Sequence, residues 1–197
     1  MQHPDAGHAQ GRTKPCSGGK IRAGASGESG LILAAILAGG QSSRFGSDKA
    51  AALWDGRPLL AHVRNACGRW ADAVVVVGRE GGIADRPAPG LGPLGGIAGA
   101  LHYAVTQGFD SVLTIPCDTP YLPEALVAAL LRRAPSYCSD APVIGHWPAD
   151  LADALVDHIA HDARRSVRGW AQQIGALPIA TPERIANVNT PEDLAAL

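Results

Sequence analysis

Positions 37 to 49 read Leu37-Ala38-Gly39-Gly40-Gln41-Ser42-Ser43-Arg44-Phe45-Gly46-Ser47-Asp48-Lys49. Two adjacent glycines offer backbone N–H groups with no side chain in front of them, and Arg44 and Lys49 follow closely. Backbone donors backed by cations make a cradle for a polyphosphate. The loop is not a Walker A motif, because Gly46 is followed by Ser47 rather than by Lys and Ser/Thr, and it does not give G-x-G-x-x-G. A second group, Pro116-Cys117-Asp118-Thr119-Pro120, sets one carboxylate between two prolines that fix the backbone. A lone aspartate can simply cap a turn. Beside a phosphate loop it reads as a ligand for Mg²⁺, a hard cation that takes one or two carboxylates and completes its shell with substrate phosphates. Cys117 has no histidine placed nearby and reads as a structural thiol. The seven histidines show no metal-ligand spacing.

Such groups need elements to hold them. Residues 31–37 form an apolar run that reads as a buried strand delivering the glycine loop. Pro58 opens a helix with Leu59, Leu60, Val63 and Cys67 on one face. The β-branched run at 73–77 predicts a strand covered on both faces. Pro93 begins a helix with Ile97, Leu101, Ala104 and Val105 inward, and residues 111–115 form a third buried strand ending at the Asp118 group. Further helices are expected from Leu122-Pro123-Glu124 to Arg132-Arg133, over 151–159, over 166–174, and from Thr190-Pro191-Glu192-Asp193, where threonine caps the start. Alternating strands and helices predict an α/β domain with a mainly parallel central sheet and helices on both faces. Ligands in such sheets bind at the carboxyl ends of the strands, the edge that holds both the glycine loop and Asp118. The glycines of 90–99 (GLGPLGGIAG) imply close backbone approach, either to a purine base or to a neighbouring element.

Composition sets the limits. The chain of 197 residues carries a formal net charge of -1, which gives no bulk electrostatic reason to bind nucleic acid or a membrane surface. No apolar run approaches the roughly 18 residues of a membrane span. The four cysteines (Cys16, Cys67, Cys117, Cys138) form no C-x-x-C pair, so neither structural zinc nor a disulfide framework is expected, and a reduced cytoplasmic setting follows. Residues 1–30 have Ile21 as their only large aliphatic and no apolar signal core, and are expected to be a disordered tail ahead of a single domain at 31–197.

Four motifs in order carry a family resemblance: L-A-G-G-x-S-x-R-x-G-x-D-K, then G-P-L-G-G, then P-C-D-T-P-Y-L-P, then N-V-N-T-P-E-D-L. Together they resemble the molybdenum cofactor guanylyltransferases of the MobA type, over essentially all of the chain beyond residue 36. The resemblance implies a three-layer Rossmann-like nucleotidyltransferase fold. It implies transfer of GMP from GTP to the phosphate of molybdopterin or its molybdenum-loaded form, with Mg²⁺ as cofactor, pyrophosphate released, and molybdoenzyme maturation proteins as partners. By resemblance, Leu37, Ala38 and Gly39 form the nucleotide loop and Lys49 is the phosphate-binding lysine. Asp85 contacts the guanine nucleotide, Asp118 binds Mg²⁺ and nucleotide, and Asn187 and Asn189 lie near the active site. Gly40 and Arg44 belong to the same loop, Arg44 stabilising the leaving group beside Lys49.

Two departures stand out. The family's asparagine after the second strand is Gly78 here, so that contact is absent or taken over by Arg79. The segment between Arg133 and Trp147 is short, with Ala141-Pro142 where His-Pro is common, which bears on the acceptor side. Arg164-Arg165 reads as a favourable helix end or as a greeting for an acceptor phosphate, the helix end preferred. Competing readings are a CTP-dependent cytidylyltransferase, a sugar-phosphate nucleotidyltransferase, and a non-catalytic nucleotide-binding adaptor.

Overall fold

The computed structural model describes residues 30–39, 49–162 and 164–195, without the side chains of Lys49 and Pro191. The tail expected to be disordered therefore lies outside the described residues except for Gly30. Strand β1 (Ile32–Leu37) shows why its sequence does not alternate. Leu33 and Ala35 point into one core, Ala34 and Ile36 into a second, and all four are fully buried. Both faces of the sheet are covered, so both residue parities must be apolar.

The remaining elements are a small hairpin, β2 (Leu53–Trp54) and β3 (Arg57–Pro58), then α1 (Leu59–Cys67), β4 (Ala73–Val77), α2 (Pro93–Gln107), β5 (Ser111–Pro116), α3 (Glu124–Leu131), β6 (Ser136–Cys138), β7 (Gly145–Pro148), α4 (Ala152–His161), α5 (Val167–Gln173), β8 (Leu177–Ile179) and α6 (Pro191–Ala195). The main sheet has the order β4-β1-β5-β7-β6-β8. β1 pairs in parallel with β4 and β5, and only β7 runs against its neighbours. One core lies under α2, α4 and α5, the other under α1 and α3, so the sheet is the middle of three layers. No helix among the described residues is long and apolar enough to cross a membrane.

Three expectations need correction. β4 is an edge strand, and Ala73 to Val76 are only half-buried although both faces touch core residues. Val105 is 52% exposed, because the buried stripe of α2 ends on Ala104. Arg164 and Arg165 do not end a helix: α4 stops at His161, and both arginines lie in the loop to α5, where the Arg164 N–H donates to Asp162 Oδ1 at 2.8 Å.

Polar groups inside the sheet are paired. Trp147 Nε1 donates to Thr114 Oγ1 at 2.9 Å, and that hydroxyl donates to Val143 O at 2.7 Å. His146 Nδ1 lies 3.1 Å from Leu130 O, which only accepts, so Nδ1 carries the proton and Nε2 accepts from Ser111 Oγ at 2.8 Å. Burial pushes the His146 pKa below its ordinary 6.5. The folded state keeps this imidazole neutral while the unfolded chain takes up a proton as pH falls below about 6.5. Stability is therefore expected to drop on the acid side, by up to about 1.4 kcal/mol per pH unit for one proton. Urea midpoints between pH 7 and pH 5 check this. His146→Gln should lower the midpoint at pH 7 yet flatten the slope, and equal slopes would refute the assignment. Among the described residues the three cysteines form no disulfide, and burial pushes the Cys67 thiol up to about 12.

Candidate active site at the carboxyl edge of the sheet

Because β4, β1 and β5 are parallel, their carboxyl ends bring three loops together. The ladder continues one residue past β1: Ala38 N donates to Val77 O at 2.9 Å, and Cys117 N donates to Leu37 O at 3.0 Å. Leu37, Ala38 and Gly39 thus leave the sheet between the β4 and β5 loops. Gly40 and Arg44 lie outside the described residues. Lys49 begins a 3-10 turn, Lys49–Ala51, that leads into the hairpin.

On the β4 side, Gly78 has φ +82°, and its N–H donates to Ile83 O at 2.8 Å as the chain doubles back. A Cβ at Gly78 would stand 2.7 Å from Gly39 Cα, 2.9 Å from Gly39 N and 3.1 Å from Asp85 Oδ1. Gly78 therefore has a backbone role, letting the β4 loop nest against the glycine loop and the Asp85 carboxylate. No side chain fits there without a shift, which accounts for the missing asparagine. Asp85 is half-buried, its carboxylate near Gly95 and Gly96 in the first turns of α2, and desolvation raises its pKa. A Cβ at Gly99 would lie 2.3 Å from Ala84 O. Gly95, Gly96 and Gly99 are buried against the Ala84-Asp85 stretch and Leu37, so of the two readings of this glycine run the geometry supports close packing against a neighbouring element.

On the β5 side, Thr119 N donates to Pro116 O at 3.3 Å, turning the chain so that half-buried Asp118 stands at the strand's end. The C-terminal stretch returns to this point. Val188, fully buried, donates its N–H to Asp118 O at 2.9 Å, and Thr119 Oγ1 donates to Asn187 Oδ1 at 3.0 Å. Asp193 Oδ2 accepts from Asn189 N at 2.7 Å and Thr190 N at 2.9 Å, while Asp193 N donates to Thr190 Oγ1 at 3.2 Å. This reciprocal cap fixes the start of α6.

The structure thus brings Leu37, Ala38, Gly39, Asp85, Asp118 and Asn187 to one edge. Asn189 follows two residues later in the segment docked by Val188. Thr119 was only part of a motif in the sequence, yet it connects Asp118 to Asn187. Among the described residues, no three His, Cys, Asp or Glu side chains converge as a metal site of protein groups alone. A single hard carboxylate beside the glycine backbone at 37–39 suits Mg²⁺ completed by substrate oxygens, and does not suit zinc.

A cavity of about 430 Å³ lies between α4 and α5, lined in part by His158, Asp162, Arg164, Ser166 and Arg168. α4 starts near the amino end of β5, where Ala149 N donates to Asp110 O. Arg168 donates to Ser139 O, just past the carboxyl end of β6.

The sequence pattern of the MobA-like NTP transferase domain matches residues 34–177, from inside β1 to the start of β8. The chain belongs to that family. It is a nucleotidyltransferase, as the family resemblance of the four motifs implied. Its relatives include the molybdenum cofactor guanylyltransferase of Rhodobacter capsulatus, 35% identical over 83% of this chain and 93% of the relative. The enzyme of the same name from Cereibacter sphaeroides is 34% identical over 81% and 92%. Among solved structures, molybdopterin-guanine dinucleotide biosynthesis protein A from Archaeoglobus fulgidus superposes with a TM-score of 0.65 at 21% identity, covering 83% of this chain and 95% of that one. The 2-C-methyl-D-erythritol 4-phosphate cytidylyltransferase of Thermus thermophilus has a TM-score of 0.58 at 17% identity, with 85% and 96% covered. These two establish the nucleotidyltransferase fold.

Proposed function

We propose that this nucleotidyltransferase moves GMP from GTP to the terminal phosphate of molybdopterin, or of molybdenum-loaded molybdopterin, and releases pyrophosphate. The observation that carries the reading is the meeting of the Leu37–Gly39 backbone, Asp85 and Asp118 on one sheet edge. The names of relatives sharing a third of its residues over most of both chains select the donor and acceptor.

An acceptor phosphate oxygen attacks the α-phosphorus, and the bond from that phosphorus to the bridging oxygen of pyrophosphate breaks. A phosphate monoester with a second pKa near ~6 is largely dianionic at neutral pH, so no side chain has to remove a proton. The work left to the protein is positioning and charge neutralisation. Asp118 would hold Mg²⁺, which when bound neutralises charge on the donor phosphates. The Gly39 and Gly40 backbone cradles those phosphates, and Lys49 with Arg44 offsets charge on the departing pyrophosphate. Asp85 accepts hydrogen bonds from the donor edge of guanine, where a carboxylate finds N–H partners. Asn187 and Asn189 close the edge near the reacting phosphates. The acceptor's anionic end is assigned to the cavity between α4 and α5 that Arg164 and Arg168 line. The dinucleotide product passes to molybdoenzyme maturation proteins in the cytoplasm.

Incubation with molybdopterin, Mg²⁺ and each nucleoside triphosphate in turn, followed by product identification, tests this. GTP is expected to give a guanine dinucleotide and pyrophosphate. A cytosine dinucleotide formed in preference would replace the donor, and GTP binding without pyrophosphate release would replace the enzyme with an adaptor.

A further inference from the structure

Thr119 is 1% exposed, and its hydroxyl has a single proton to give. Two acceptor oxygens compete for it: Asn187 Oδ1 at 3.0 Å and Asp118 Oδ1 at 3.3 Å. Asp118 is also tied to the same C-terminal stretch through its backbone, since its carbonyl accepts the Val188 N–H. The far end of that stretch is held by the Thr190–Asp193 cap. One loop, carrying one carboxylate, is therefore joined twice to a segment about 70 residues away in sequence.

We propose that Thr119 is a positioning residue that couples cation loading at Asp118 to docking of the C-terminal segment around Asn187 and Val188. The inference rests on the reading of Asp118 as the cation ligand. A cation beside the carboxylate draws charge from Oδ1 and weakens it as an acceptor. The Thr119 proton then goes to Asn187, and the segment is held more tightly. In the other direction, a docked Asn187 takes the proton, and Oδ1 no longer shares its charge with that hydroxyl when a cation binds. Thermodynamic linkage makes the two effects equal in size. Val188 reports the coupling, because its amide is protected by the bond to Asp118 O.

The test uses the whole chain with GTP and no acceptor, so no turnover is involved. Mn²⁺ binding is followed by electron paramagnetic resonance, and exchange of the Val188 amide by NMR with and without Mg²⁺. For the wild type, Mg²⁺ is expected to slow Val188 exchange by about tenfold, the factor that one net hydrogen bond supplies. Thr119→Val, which keeps the shape and removes the hydroxyl, is expected to abolish the Mg²⁺ effect on Val188 while binding Mn²⁺ no less tightly than the wild type, since no hydroxyl then competes for Oδ1. Thr119→Ser is expected to restore the Mg²⁺ effect on Val188, which a purely packing role would not do. Thr119→Val with an intact Mg²⁺ effect on Val188, while Asp118→Asn no longer binds Mn²⁺, overturns the coupling alone. Undiminished Mn²⁺ binding by Asp118→Asn overturns the cation assignment and the coupling with it.

Discussion

Replacing Asp118 with asparagine is expected to reduce pyrophosphate release by about 10³-fold or more while leaving the fold in place, on the scale of losing a metal that neutralises charge in the transition state. Asparagine has the same size, and its amide oxygen can still accept from Thr119. The backbone carbonyl of residue 118 still receives the Val188 N–H. What disappears is the negative charge, and among the described residues no carboxylate cluster stands ready to replace it. Steady-state assays at saturating GTP, run beside thermal unfolding, separate chemistry from stability. An unfolding midpoint within a degree or two of wild type together with a tenth of its turnover would remove Asp118 from the metal's shell.

Gly78→Ala is expected to lose about 2–4 kcal/mol of stability, adding the cost of a left-handed alanine to that of overpacking. The new methyl would meet the Gly39 backbone at 2.7 Å, and it also approaches the Asp85 carboxylate. Backbone cannot swing aside as a long side chain does, so the glycine loop and Asp85 must both shift. GTP affinity should fall by at least about tenfold, as expected when a positioned binding group is displaced. Gly81→Ala is the control. Gly81 sits at φ +74° in the same loop with nothing within 4 Å of its Cβ position, so it should cost only about 1 kcal/mol of backbone strain and leave GTP binding alone. Calorimetric GTP titration of both variants decides the matter. Equal affinity in Gly78→Ala and wild type would mean that the contact between Gly39 and Gly78 does not shape the nucleotide loop.

The central strands of the donor half were legible because burial on both faces leaves little room for polar residues. β1 is a continuous apolar run for that reason, and β5 departs from one before Pro116 only at Ser111 and Thr114, whose hydroxyls are hydrogen-bonded inside the sheet. β6, β7 and β8 have three or four residues each, and two of them contain proline. Their strand character comes from pairing with neighbours remote in sequence, which no local period records. The edge that carries the site followed from strand–helix alternation, and Asp118 from its place after β5. Asp85 was legible only through the family resemblance, since it lies in an irregular loop without a repeat. The link between Thr119 and Asn187 spans 68 positions, so nothing in either stretch announces it. Gly78 read as a lost side-chain contact because its value lies in the backbone of Gly39, which the sequence does not show as a neighbour.

β7, the strand of the main sheet that runs against its neighbours, divides the chain into an earlier and a later part. Everything on the donor side, from Leu37 to Asp118, is laid down before the reversal, and the arginine-lined cavity comes after it. Around Asn187 and Val188 the later part reaches back onto the earlier one. Loops of the second half can therefore change length and charge without disturbing the groups assigned to the nucleotide. A chain arranged in this way can be refitted to new acceptors one half at a time, provided that the final clasp still closes on Asp118.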